Sequence, residues 1–475
     1  MCGILAVYNL PNQKPINSSI QQQLQKLQHR GQDSHGYFLT NYSQETISIL
    51  KPGLVTLDKS SNIKGTYEIG LGHTRYATSY QKDFKNTNLL VHMQPVFIEK
   101  SNISFCFNGN INNLENVVDA MNLPINSDKL DTFNDTLILK EIFISRDTST
   151  AKKLESLLEE CIQKIKGVFN ILIYHSVTGN LYGCKDATGN RPLCIGKNTE
   201  GICLASESVA LGNYSYVREL EAGEIVRIKP HTNIFETIYL EPRHKQKKHV
   251  CLFEYIYLQR KDAIVKNKIQ VEDLRIDFGE ELARQEFLKI DKSNKKDIVV
   301  IGAPSTGIPI GISFAKQLDI PYHQFIEKRR GAQRSFIEAN NEDRLSVCRR
   351  KFIVNENYSI EDKIVFFVDD SLVRGNTIYS IMELLKSYRP REIHFRIASP
   401  EVKNPCYFGI DIPTQEELIM NSYNCESLAE YLGVDSIKFL KTENMSYVLK
   451  KNLEMTDSQI CLGCFTGKYS PHLEF

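Results

Sequence analysis

Cys2 carries a thiol, and removal of Met1 would put a free α-amine on the same residue. The thiolate is the nucleophile. An α-amine with an ordinary pKa of ~7.7–8.0 can serve as its base without a histidine partner. A second signal lies far along the chain, at Val368-Asp369-Asp370-Ser371-Leu372-Val373-Arg374-Gly375-Asn376-Thr377. Adjacent carboxylates at the end of a strand can hold a ribose diol and a hydrated Mg²⁺. Ser371, Gly375, Asn376 and Thr377 offer hydroxyl and backbone N–H groups to an anionic phosphate at a helix N-terminus. The third signal is cysteine: Cys461-Leu462-Gly463-Cys464 is a C-x₂-C pair, and Cys251 and Cys406 complete a constellation. Such a pair suits adjacent ligands of one metal centre, and spacing alone leaves zinc and iron–sulfur both open.

These groups need elements to position them. Gly3 to Leu10 reads as a buried strand. Ile20, Leu24 and Leu27 share one face of a short helix, with Ser19 as its cap and Gly31 closing it. To about Pro230 the pattern is mostly short strands and turns, with helical stretches near 132–145 and 151–166. Pro242 to His249 is a basic run that reads as a solvated linker between domains. Beyond it strands alternate with helices. Asp297–Gly302, Lys363–Val368 and Glu392–Ile397 are strands; Ile308–Leu318 is a helix, and Ile378, Ile381, Met382 and Leu385 form the face of another. That alternation predicts a parallel sheet covered by helices.

With 475 residues the chain needs two or three domains. A net charge of +1 gives no reason to expect nucleic acid or an anionic membrane as partner. The N-terminus runs straight into a strand rather than a signal peptide, and no apolar stretch is long enough to span a bilayer. A cytoplasmic location follows as the expectation, with reduced thiols. The twelve cysteines therefore ask for a catalytic or metal role.

The acidic stretch resembles the phosphoribosylpyrophosphate (PRPP) motif of type I phosphoribosyltransferases. The chain as a whole resembles the glutamine PRPP amidotransferase family. Its landmarks run in the family's order: Cys2-Gly3-Ile4, His29-Arg30-Gly31-Gln32-Asp33, Gly72-His73-Thr74-Arg75-Tyr76 and Asn108-Gly109-Asn110. Asp186–Pro192, Ala205–Ser208, Cys251–Tyr255, the PRPP motif and Cys461–Cys464 complete the series. The resemblance implies a mixed α+β and α/β chain. Residues 2–240 would form an Ntn-hydrolase glutaminase domain of four αββα layers. Residues 241–475 would form a parallel-sheet phosphoribosyltransferase domain with an iron–sulfur-binding C-terminal segment.

Roles follow from the same resemblance. Cys2 would attack the glutamine amide. Arg75 would pair with the substrate α-carboxylate and Asp135 with its α-ammonium, while Asn108 and Gly109 would form the oxyanion hole. Asp369, Asp370, Ser371, Arg374, Gly375, Asn376 and Thr377 would bind PRPP, with Lys328, Arg330 and Arg334 closing over it. Thr306, in the loop Ala303–Gly307, would stand with Asp369 and Asp370 near Mg²⁺. One branch of the family carries a [4Fe–4S] cluster, which here would fall on Cys251, Cys406, Cys461 and Cys464. The remaining seven cysteines read as ordinary reduced thiols.

The implied reaction converts glutamine, PRPP and water to 5-phosphoribosylamine, glutamate and pyrophosphate, the first committed step of purine synthesis. A homo-oligomer (dimer or tetramer) inhibited by purine nucleotides is the family expectation. The chain departs from the family pattern at Ser305, Arg329, Gly331, Ala339–Asn341, Phe107, Leu137 and His35. These changes leave a diverged paralogue in another pathway, or a regulatory homologue without turnover, as alternatives. Intact Cys2, Arg75, Asp135, Asp369 and Asp370 count against the last.

Overall fold

The computed structural model describes residues 1–57, 63–76, 92–125, 134–242, 247–286, 295–329, 352–412 and 414–469. The first strand, β1 (Gly3–Asn9), lies inside a seven-stranded sheet. Its antiparallel neighbours are β4 (Ile69–Arg75) and β10 (Gly201–Ala205). Beyond β4 lie β2 (Ser34–Thr40) and β3 (Thr46–Pro52). Beyond β10 lie β9 (Cys194–Lys197) and β11 (Ser215–Glu219). A six-stranded sheet faces it, built from β5 (Val96–Ile98), β6 (Ile103–Ile111), β7 (Gly167–His175), β8 (Asn180–Lys185), β12 (Glu224–Ile228) and β13 (Phe235–Leu240).

Alternation along β1 explains its unbroken apolar run. Ile4, Ala6 and Tyr8 point between the sheets, with Leu71, Leu172 and Leu204. Leu5 and Val7 point the other way and are covered by helix α1 (Ser19–Lys26) through Ile20 and Leu24. A strand buried on both faces loses its polar alternation. On the far side, Ile138, Leu139 and Ile142 of α3 (Asp135–Ser145) and Leu154, Leu157 and Leu158 of α4 (Ala151–Lys164) cover the six-stranded sheet. The result is the expected αββα sandwich. A further helix, α2 (Leu114–Ala120), stands where strands and turns are expected.

Two local expectations need correction. The cap position of α1 is Ser18, while the Ser19 hydroxyl donates to the Ile16 carbonyl. Gly31 does not close the helix, which ends at Lys26. It is small because a Cβ there would stand 2.5 Å from the Thr74 carbonyl. The basic run is also more than a solvated linker: Lys247 and His249 donate backbone N–H groups to Ala187 and Thr188.

After the strand β14 (Val250–Cys251) and a π-helical turn (Glu254–Leu258) the chain forms a four-stranded parallel sheet. Its order is β15 (Ile298–Gly302), β18 (Ile364–Asp369), β19 (Glu392–Ile397), β20 (Ser436–Phe439). One face packs on α5 (Val271–Arg284), α6 (Gly307–Leu318) and a late helix, Thr442–Leu453. The other packs on α7 (Asn376–Lys386) and the helix Cys425–Leu432. The hairpin of β16 (Ile326–Lys328) and β17 (Phe352–Val354) lies outside this sheet. The last strand, β21 (Ile460–Cys461), returns to pair with β14. Among the described residues no helix is long and apolar enough to cross a membrane.

Phe366 in β18 is fully buried, its ring 5.5 Å from that of Phe314 in α6. Phe366→Ala should therefore cost about 3–5 kcal/mol, read as an earlier urea midpoint for the C-terminal unit by circular dichroism.

Candidate active sites

Five distant residues meet at the open end of the sandwich. Cys2 begins β1, Arg75 ends β4, Asn108 and Gly109 lie on β6, and Asp135 opens α3. All five line one cavity, together with Met1, Tyr76, Gln94, Arg191 and Phe408. Its volume is about 50 Å³ with Met1 in place on its wall, and the Met1 side chain is buried in the core cluster of Leu252 and Phe253. Every sequence-predicted glutaminase residue is thus brought together.

The details suit acyl transfer. The backbone N–H of Cys2 donates to Asn108 Oδ1 at 3.3 Å. That bond turns Asn108 Nδ2 into the cavity's spare donor: it is buried and has no partner. An unmade buried donor costs about 1–3 kcal/mol unless a ligand supplies the acceptor. Gly109 is required by its surroundings, since a Cβ would fall 2.1 Å from the Val168 carbonyl. Asp135 accepts the Ile111 backbone N–H at 3.3 Å, and burial pushes its carboxyl up to about 7.

The Cys2 thiol is pulled down to about 6. Burial opposes its ionisation. The His73 imidazole, the chain's amine and the Tyr76 backbone N–H overcome that penalty. The Met1 amine is pushed down to about 5, chiefly by burial.

Behind the thiol lies an ion network that the sequence motifs contained without announcing. Arg30 donates Nε to the Cys2 carbonyl at 3.3 Å and Nη2 to Glu254 Oε1 at 2.9 Å, and its Nη1 pairs with Glu207. Arg191 reaches the same Glu254 oxygen at 3.3 Å and also donates to the Phe408 carbonyl. Glu207 accepts from His29 at 2.7 Å and from the Arg260 backbone at 3.0 Å. Burial disfavours the Glu207 charge, but His29 and Arg30 hold its carboxyl down at about 2.

The second centre stands at the carboxyl end of the parallel sheet. Asp369 ends β18, and its Oδ1 accepts the Asp370 backbone N–H at 2.8 Å. Asp370 accepts from Ser371 Oγ at 2.6 Å and from the hydroxyl of Thr306, the residue at the N-cap position of α6. Burial raises both carboxyls, and mutual repulsion raises Asp369 further. Gly375 has φ +80° at the N-cap of α7, and a Cβ there would stand 2.3 Å from Ile419 Cδ1. Asn376 and an exposed Thr377 form the first turn of α7. Together these residues make an acidic, hydroxyl-rich cradle at a helix N-terminus.

Arg374 is turned elsewhere. It pairs with Glu417 at 3.0 Å and Asp411 at 3.6 Å instead of facing the acids. Lys328 ends the exposed side of the β16–β17 hairpin, while Arg330 and Arg334 lie outside the described residues.

The two centres share one carboxylate. Tyr76, directly after Arg75, donates its hydroxyl to Asp411 Oδ2 at 2.8 Å, and Asp411 Oδ1 faces Arg374. Neither Tyr76 nor Asp411 carried a predicted role; their separation by 335 residues hides the pairing from sequence.

The four ligand candidates also gather. Cys251 stands directly opposite Cys461 in the β14–β21 pair, and Cys464 follows in the next helical turn. Cys406 and Cys464 pack beside Cys251 in one cluster. Burial pushes the Cys251 and Cys464 thiols well up, and the neighbouring cysteines add to it. All four are free thiols. Among the described residues no three His, Cys, Asp or Glu groups stand ready-formed around a metal ion.

Comparison with known proteins now decides the family. Residues 87–213 match the glutamine amidotransferase domain model, and residues 271–399 the phosphoribosyl transferase domain model. An amidophosphoribosyltransferase of Staphylococcus aureus is 30% identical over 98% of this chain and 90% of its own. The chain belongs to the amidophosphoribosyltransferase family. The amidophosphoribosyltransferase of Methanocaldococcus jannaschii is 29% identical over 100% of this chain and 98% of its own. A solved glutamine PRPP amidotransferase from B. subtilis, complexed with ADP and GMP, superposes with a TM-score of 0.80 at 27% identity over the full length of both chains. As a member of that family the chain is an enzyme, a glutamine-dependent pentosyltransferase.

Tyr76→Phe should reduce any stimulation of glutamine hydrolysis by PRPP by up to about 10- to 150-fold, the equivalent of losing a bond of about 1.5–3 kcal/mol to a charged group. Glutamate release with and without PRPP checks it, and unchanged stimulation would mean the bond carries no coupling.

Proposed function

We propose that the chain makes 5-phosphoribosylamine from glutamine and PRPP, using Cys2 as nucleophile once Met1 is removed. The observation that carries this reading is the convergence of Cys2, Arg75, Asn108, Gly109 and Asp135 on one cavity, with Met1 on its wall. Arg75 would clamp the glutamine α-carboxylate and Asp135 its α-ammonium. The Cys2 sulfur adds to the side-chain amide carbon. Asn108 Nδ2 and the Gly109 backbone would stabilise the oxyanion. Ammonia leaves, a thioester forms and water hydrolyses it. The ammonia then displaces pyrophosphate from PRPP at Asp369 and Asp370.

Thr306, Asp369 and Asp370 would hold Mg²⁺, a hard cation suited to carboxylate and hydroxyl oxygens. Ser371, Arg374, Gly375, Asn376, Thr377, Lys328, Arg330 and Arg334 would contact PRPP as the loops close, Arg374 leaving Glu417 to do so. The division at 240/241 would separate the two activities. Cys251, Cys406, Cys461 and Cys464 would supply four thiolate donors to a [4Fe–4S] cluster: all four thiols are free, Cys251 stands opposite Cys461, and Cys406 and Cys464 border the same core. When bound, the cluster would supply a cross-link between β14, β21 and the 406 loop. The place of the product at the entry to purine synthesis makes purine nucleotides the expected inhibitors. A cytoplasmic homo-oligomer completes the reading.

Cys2→Ala should abolish glutamine-dependent synthesis while keeping synthesis from free ammonia, because the second centre has its own chemistry. Loss of both would refute separable sites. Anaerobically purified protein should contain iron and sulfide and absorb in the visible range. A colourless protein with one zinc would overturn the cluster. Glutamine KM should rise as pH falls through about 7, where the Asp135 carboxyl takes up a proton and stops pairing with ammonium. Asp135→Asn should raise KM and flatten that dependence.

A further inference from the structure

A second cavity, of about 310 Å³, lies where the two halves of the chain meet and shares no lining residue with the first. Its volume is that of a small-molecule site, roughly 300–1,000 Å³. Lys185 and Glu219 reach it from the ends of β8 and β11, and Lys248, Lys266 and Met455 from the second half. Three of its polar groups lack partners. Lys185 is 3% exposed, and its ammonium has a single hydrogen-bond acceptor, the Leu220 carbonyl at 3.1 Å. Asn190 is 2% exposed; its Nδ2 donates to the His249 carbonyl at 2.6 Å and lies beside the Cys461 thiol, while its Oδ1 is buried without a partner. The Glu219 carboxylate makes no hydrogen bond or ion pair among the described residues, and burial pushes it up against the pull of Lys185 and Lys248. Groups left unmatched in this way cost free energy until a ligand matches them.

The charges say what that ligand carries. A buried ammonium without an anion and a carboxylate without a cation, in one cavity, call for both signs in one molecule. Glu254 is already paired with Arg30 and Arg191, and Arg218 with Glu224. That leaves Lys185, Lys248, Lys266 and Lys268 against Glu219 and Glu221, a surplus of lysine. Lys268 has no side-chain partner among the described residues and holds a left-handed φ of +62°. Such strain in a non-glycine residue clusters at ligand sites.

We infer that this cavity binds a free acidic amino acid, with its α-carboxylate on Lys185, its α-ammonium on Glu219 and Asn190 Oδ1, and its side-chain carboxylate at the lysines of the mouth. The site is separate from the glutamine cavity and goes beyond the proposed reaction, although the glutamate released there is one source of such a ligand. Its occupancy reaches both centres through the π-helical turn. Glu254 borders the cavity while it bonds Arg30 and Arg191. Tyr255 and Gln259 also border it, and their carbonyls accept Arg275 Nε at 3.0 Å and Nη2 at 2.8 Å. Arg275 is fully buried, and Asp370 is the leading carboxylate acting on its charge.

Hydrogen–deuterium exchange of the full-length enzyme, read by peptide mass, tests the site with L-glutamate as probe. Millimolar L-glutamate should slow exchange across 180–192, 215–222 and 248–259, separately from any slowing around Cys2. Lys268→Glu reverses a charge at the mouth and should raise the half-saturating concentration at least about tenfold. Lys185→Met should abolish the slowing. Ammonia-dependent synthesis reports that each variant is folded, and if Lys185→Met is not, Lys268→Glu decides alone. L-Glutamate should also change PRPP-stimulated glutamine hydrolysis in the native chain, by an amount that Lys268→Glu removes. No slowing in these peptides, slowing that Lys268→Glu leaves unmoved, or equal slowing by inorganic phosphate would overturn the amino-acid site. Slowing without any change in hydrolysis would overturn the route through the turn. A failure of the Cys2 reading would leave the slowing in these peptides intact, so the two are told apart.

Discussion

The guanidinium of Arg30, buried between Glu207 and Glu254, binds the start of β1 to the rest of the molecule. Its third contact is the Cys2 carbonyl, so the proposed nucleophile is fixed by the same group that neutralises two carboxylates. Glu254 comes from the turn that opens the second half of the chain, and Arg191 from the first; both meet Arg30 in one network. Two arginines balance two glutamates, which is how charges can be buried at all. Removing one partner would leave an uncompensated buried charge, a loss of about 3–5 kcal/mol. The position of Cys2 therefore depends on contacts from both halves.

That dependence gives the two centres a physical route for communication. The Arg30 network ends at the Phe408 carbonyl, on the loop that also carries Cys406 and Asp411. Asp411 in turn joins Tyr76 on the glutamine side to Arg374 in the phosphate loop. If PRPP draws Arg374 away, Asp411 loses a cation and Tyr76 feels the change. A cluster on Cys251, Cys406, Cys461 and Cys464 would brace the base of this loop.

Much of this was legible in the sequence, and for identifiable reasons. The unbroken apolar run of β1 signalled a strand buried on both faces, and the strand–helix alternation after residue 297 gave the parallel sheet. The candidate glutaminase residues could be named because their chemistry and order are distinctive, and the fold brings Cys2, Arg75, Asn108, Gly109 and Asp135 to one cavity. What stayed hidden depends on approach in space. Gly31 looks like a helix stop, yet it is small because the Thr74 carbonyl lies against it. Arg374 belongs to a phosphate motif, yet its partners are Asp411 and Glu417.

The central claim is that a processed Cys2, held at the junction of the two halves, is the group that takes the amide. Trapping with an electrophilic glutamine analogue, followed by peptide mass mapping, tests it most directly. The account predicts one adduct, on Cys2 as the amino-terminal residue, forming faster when PRPP and Mg²⁺ are present. An adduct on another residue, or full activity in a chain that retains Met1, would contradict it.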